Sequence, residues 1–112
     1  MFNLDQSDSY QWTVKWDVPV SDGKFETASF QAYFKRLTHE RISEIKKLGI
    51  SGEITDLEIA NDVLVGWSGV KSGEDELPFN DENKKNVLNY AMVPSAIVEA
   101  LFDSFRNGKR KN

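Results

Sequence analysis

Ile54-Thr55-Asp56-Leu57-Glu58-Ile59-Ala60-Asn61-Asp62-Val63-Leu64-Val65-Gly66-Trp67-Ser68-Gly69-Val70 is the stretch whose reading decides the fold. Thr55 and Glu58 have the spacing of a capping box, in which each side chain satisfies the other residue's backbone amide. Ile54 and Ile59 stand where a hydrophobic staple would fix the chain's approach to the helix. Leu57, Ala60, Leu64 and Trp67 recur at helical spacing, with Ile59 and Val63 beside them, which predicts a helix over Ile54–Trp67. Gly66 and Gly69 bracket Trp67 and allow a sharp corner. Downstream, Pro78 keeps Leu77 extended, and Asn80 followed by Asp81 and Glu82 marks a new helix N-terminus. Trp67 is the expected buried structural anchor, and Phe79 is expected to be a structural anchor with it.

Toward the N-terminus, Tyr10, Trp12, Val14, Trp16 and Val18 alternate with Gln11, Thr13, Lys15 and Asp17, the pattern of a half-buried strand. Pro19 ends that strand or places it at a sheet edge. Ser21-Asp22-Gly23-Lys24 is a hairpin turn, with Asp-Gly suited to positive φ. The return strand, Lys24 to Phe34, has no cleanly apolar side, which predicts a bulge or register change. Thr38 caps a helix expected to end near Leu48, with Ile42, Ile45 and Leu48 buried, Gly49 at its C′ position and Ile50 packing back on Ile45.

The helix after Asn80 is polar, with only Val87, Leu88, Tyr90 and Ala91 to bury it. Met92-Val93-Pro94 breaks it, and Pro94 suits the first turn of a last helix. There Ile97, Leu101 and Phe105 form one row and Val98 and Phe102 an adjacent one, before Asn107-Gly108 stops the helix. The fold class expected is α+β: an N-terminal antiparallel β-hairpin followed by a small bundle of about four helices. The expected organisation is a single domain over 1–112, with a flexible arm at 1–9, the hairpin at 10–37, the helical part at 38–106 and a basic tail at 107–112.

The chain has 112 residues, a formal charge of −4 and no cysteine. Its length suits one domain with a modest core. Without cysteine there is no disulfide, thiolate metal site or thiol nucleophile. Arg106, Lys109, Arg110 and Lys111 give the last seven residues +4, and −4 minus +4 leaves −8 on the rest. An acidic body argues against a nucleic-acid surface on the fold. No apolar run is long enough to span a bilayer, and the N-terminus has no signal-peptide pattern.

His39 is the only histidine and lies at a helix start, without a second ligand or a nucleophile to activate. Glycines do not take dinucleotide or Walker spacing. The acidic loop Lys71–Glu76 lacks the ligand alternation of an EF-hand. No catalytic, cofactor or metal site is expected, and the chain is not expected to be an enzyme.

Gly66-Trp67-Ser68-Gly69-Val70, the acidic glycine-containing loop after it, and Leu77-Pro78-Phe79-Asn80-x-Glu82-Asn83 resemble the tail assembly chaperones of long-tailed bacteriophages. Phe30-Gln31-Ala32-Tyr33-Phe34-Lys35-Arg36-Leu37 and the ending Gly108-Lys109-Arg110-Lys111-Asn112 fit the same family. The resemblance implies a non-enzymatic protein of phage or prophage that coats the tape measure protein during tail morphogenesis. It implies recruitment of the tail tube protein through a form extended by ribosomal frameshifting, this chain matching the short form. It also implies residence in the host cell cytoplasm and absence from the mature virion. The alternative is a small acidic inhibitor or immunity-type protein, which would bind a basic target with steep salt dependence.

Two apolar surfaces exceed what a small core needs. Phe30 and Phe34 share a strand face, and Val98 and Phe102 share a helix face. These four residues are the expected partner-binding positions. The same surfaces make self-association possible, and neither nucleic acid nor a membrane is expected as a partner.

Overall fold

A computed structural model describes residues 1–106. Strands β1 (Ser9–Ser21) and β2 (Lys24–Lys35) form the N-terminal hairpin. Helices α1 (His39–Ser51) and α2 (Asp56–Val63) follow, and α2 runs directly into β3 (Leu64–Ser68). A small hairpin of β4 (Lys71–Ser72) and β5 (Asp75–Glu76) precedes α3 (Asp81–Leu88) and α4 (Val93–Asp103). The main sheet has the antiparallel order β1-β2-β3. The protein is α+β, an N-terminal hairpin with four helices, as its sequence predicts. The basic tail 107–112, including the stop at Asn107-Gly108, lies outside the described residues.

Two irregularities in the sheet decide which side chains enter the core. At the turn Ser21 pairs with Lys24, yet beyond Val20 the partners become Pro19↔Phe25 and onward to Ser9↔Lys35. Val20 is thus an extra residue in β1. Had the turn register continued unchanged, Phe30 would face Lys15 and Phe34 would face Gln11. With the shift, Phe30 sits opposite Val14 and Phe34 opposite Tyr10. A one-residue slip exchanges the faces of a strand. Phe30 and Phe34 therefore join the apolar row of β1 beneath the helices, at 5% and 0% exposure. The expectation that they present a partner-binding surface is corrected: Phe34 is core, and Phe30 is core with one edge at a groove wall. The opposite face is polar, with Gln31 Oε1 accepting from Gln11 Nε2 (3.2 Å) and Thr13 Oγ1 (3.1 Å).

The second irregularity corrects the helix expected over Ile54–Trp67. Its start is as predicted: Thr55 Oγ1 accepts from Glu58 N at 3.1 Å and Thr55 N donates to Glu58 Oε1 at 2.9 Å. The helix stops at Val63, and Leu64–Ser68 pairs with β2 instead. Tyr33 faces Gly66 but Phe34 faces Leu64, so Val65 is an extra residue that bulges outward. The bulge lets Leu64 and Trp67, three apart, both point into the core. That spacing imitates a helical stripe, which is why periodicity misassigns the segment. Leu57, on the same expected stripe, is exposed.

Helix α1 also runs further than expected. Gly52, not Gly49, is its left-handed cap at φ 80°, and Glu53 N donates to Leu48 O at 2.8 Å. The extra turn turns Ile50 out to solvent and brings Ile54 against the core. Tyr90 and Ala91, expected to bury α3, are exposed, and Leu88 carries that contact. Ahead of α4 the chain turns at Met92, whose φ of 76° is the one positive value at a non-glycine among the described residues. Helix α4 packs on β1 and α2. Its end is tied to the sheet by Tyr10 Oη and Ser104 Oγ at 2.8 Å.

Asp62 on α2 joins three elements. It accepts from Lys35 Nζ of β2 at 2.7 Å and from Arg41 Nη2 of α1 at 3.0 Å. Burial pushes its carboxyl up, but the hydrogen bonds from Lys35 and Arg41 outweigh burial and hold it below the usual range. A depressed folded value means the stabilisation is present above the unfolded carboxylate range and lost as pH falls through the folded value. The pairs are partly exposed, so about 1 kcal/mol or less is expected from each. Asp62→Asn should lower stability by about 1 kcal/mol at neutral pH and flatten the acid limb of a denaturant-melt pH series. Met92→Gly should raise the melting midpoint, by relieving roughly 1 kcal/mol of left-handed strain.

Candidate binding grooves

Trp67 organises the region where the quoted motifs converge. Its indole Nε1 donates to Leu77 O at 2.8 Å, and Leu77 N donates to Val70 O at 2.7 Å. The loop between them leaves through Gly69 at φ 82° and reverses at Gly73 at φ 66°, conformations that suit glycine. Gly69 N is held by Glu76 Oε2 at 3.2 Å. The carboxylate nearest the glycine corner thus serves the backbone. Trp16, Phe30, Trp67 and Phe79 then follow edge to face, with centroids 6.1, 6.4 and 4.8 Å apart. Such pairs add about 0.5–1.5 kcal/mol beyond burial. Lys84 lies 5.8 Å from the Phe79 centroid and donates to Asn61 O at 2.7 Å. Burial pushes the Lys84 ammonium below the ordinary lysine range. Both expected anchors are in place, Trp67 buried and Phe79 half-buried against it.

Beside this ladder, near the start of α4, an open groove of about 530 Å³ is walled by Trp16, Phe30, Val70, Leu77 and Val87. Asn83, Asn86, Lys71 and Tyr90 form its polar rim. A second groove, of about 560 Å³, lies toward the other end of α4. Val98 and Phe102 line it with Ile45 and Ile59 beneath, and Ile50 and Phe105 at the margin. Val98 and Phe102 are half-buried, Phe105 is 37% exposed and Ile50 is 90% exposed. Phe102 and Phe105 pack edge to face at 6.0 Å. Lys46, Asp56 and Arg106 supply charge around the apolar floor.

The four expected partner positions therefore separate. Val98 and Phe102 line one groove, Phe30 walls the other, and Phe34 lines neither. Ile50 and Phe105 were missed as surface residues, because a glycine at 49 reads as the helix end and Phe105 continues the buried row. Among the described residues no group of three or more His, Cys, Asp or Glu is placed to hold a metal ion. No described helix is long and apolar enough to cross a membrane. Comparison of the chain with protein-family models, with curated proteins and with solved structures found no match.

Trp67→Ala should cost about 3–5 kcal/mol in a denaturant or thermal melt. Trp67→Phe keeps most of the ring packing but leaves the Leu77 carbonyl without its donor, and should cost a smaller amount, on the order of 1–3 kcal/mol.

Proposed function

We propose that this chain is a non-enzymatic binding protein of the phage tail-assembly-chaperone type, holding an apolar helical segment of a tape measure protein. The observation that carries this reading is the groove of Val98, Phe102, Phe105 and Ile50, which leaves aromatic and aliphatic surface in reach of solvent on an acidic body. A groove with an apolar floor and charged margins suits an amphipathic helix that inserts side chains at i, i+3 and i+4. An acidic exterior keeps a chaperone and its cargo soluble. Many weakly binding copies along one long partner give avidity without high affinity per copy.

The ordered motifs Gly66–Val70 and Leu77–Asn83 support the same reading. They build the scaffold around Trp67 that holds the sheet against α3. In this proposal the chain acts in the host cytoplasm while the tail is assembled. A frameshift-extended form engages the tail tube protein.

The test is binding of overlapping tape measure peptides to the wild type and to Phe102→Ala and Phe105→Ala. Variants with unchanged melting should lose about tenfold or more in affinity, and wild-type affinity in both would remove the groove. Phe34→Ala serves as the contrasting core variant and should lose about 3–5 kcal/mol of stability. Affinity for a basic target that collapses with added salt would instead assign the acidic-inhibitor function.

A further inference from the structure

The longest strand of the sheet has an open edge. β1 has 13 residues and pairs only with β2, because the strand order is β1-β2-β3. Among the described residues, Ser7 Oγ to Ser9 O is the single hydrogen bond that a group outside β2 makes to the backbone of β1. A long edge strand with unpaired N–H and C=O groups is a template for another strand. Its far end is also bare: α4 is tied to β1 at Tyr10 through Ser104, whereas residues 19–27 are exposed.

We infer that a second copy of this chain pairs antiparallel along the free edge of β1, about a twofold axis at Trp16, to make one six-stranded sheet. This surface is separate from the groove proposed above. Like faces must meet across an antiparallel pair, which restricts the pairing to registers that match even residues with even and odd with odd. Charge then selects one register. With Trp16 opposite Trp16, each Lys15 lies opposite Asp17 of the other copy, twice over by symmetry. On the apolar face Val14 meets Val18. A shift by two residues either way sets Lys15 against Lys15 or Asp17 against Asp17. Like charges directly opposite are destabilising.

Lys15 is available for this role, having no carboxylate within ion-pair distance among the described residues. Asp17 receives one bond, from Thr27 Oγ1 at 3.2 Å to Oδ1, and keeps its other oxygen.

In this register each copy's exposed end, residues 19–21, lies beside the end of the other copy's β1 that α4 is tied to. Pro19 falls opposite Thr13, outside the central five residues Val14–Val18, so its missing N–H leaves that core intact.

Sedimentation velocity of the full chain across the micromolar range, with melting curves as a folding control, tests the pairing. The wild type should be a dimer. Lys15→Asp puts two carboxylates opposite each other at both symmetric positions and should weaken the dimer by at least about tenfold. The double variant Lys15→Asp/Asp17→Lys restores opposite charges with the sequence reversed and should regain wild-type dimerisation. Both side chains point to the solvent face, so melts taken at a concentration below dimerisation should agree. A wild type that stays monomeric, a dimer indifferent to Lys15→Asp, or a double variant no better than the single would each overturn the proposal.

Discussion

The bond from the Trp67 indole to the Leu77 carbonyl is the constraint on which the second half of the molecule depends. It closes the Gly69–Glu76 excursion into a loop of fixed base. It also places Phe79 on the tryptophan ring and so sets where α3 begins. Asn83 completes the junction by donating from Nδ2 to Pro78 O at 2.9 Å, while its own amide is capped by Asn80. A large ring with one donor can do this because its body is apolar and its N–H needs one acceptor when buried. Polar satisfaction and aromatic packing are here supplied by the same side chain.

The sheet and the helices share one core, and its assembly relies on irregular strands. Val20 and Val65 each add a residue, and each reverses the facing of what lies beyond it. The first gathers Phe30 and Phe34 under the helices with Val14. The second lets Leu64 and Trp67 point the same way. A regular hairpin would have spent two phenylalanines on the polar face. Bulges of this kind are structural devices that re-aim side chains. They leave the outer face to Gln11, Thr13, Gln31, Asp17 and Thr27, which hydrogen-bond to one another.

Two apolar grooves flank the ends of α4. One groove leans on the aromatic ladder, and the other lies between α4, α1 and α2. Helix α4 is apolar around most of its circumference, and one sheet cannot cover all of it. Apolar floors with charged or polar rims are what these grooves offer a ligand: burial, with orientation set at the margin.

Much of this architecture was legible in the residues alone. The alternation from Tyr10 to Val18, the Asp-Gly turn, the caps at Thr38, Thr55 and Asn80 and the proline at the start of α4 are local signals. Each depends on neighbours within about four residues, so sequence by itself determined the hairpin and four helix starts. The face of Phe30 and Phe34, the strand at Leu64–Ser68, the end of α1 at Gly52 and the exposure of Ile50 and Leu57 were decided by tertiary structure. Leu64 and Trp67 show why. Three-residue spacing satisfies a helix and a bulged strand equally well, and only the free edge of β2 selects the strand. Likewise, the turn at Asp22-Gly23 accepts either register, and only the cost of leaving two phenylalanines in water selects the shifted one.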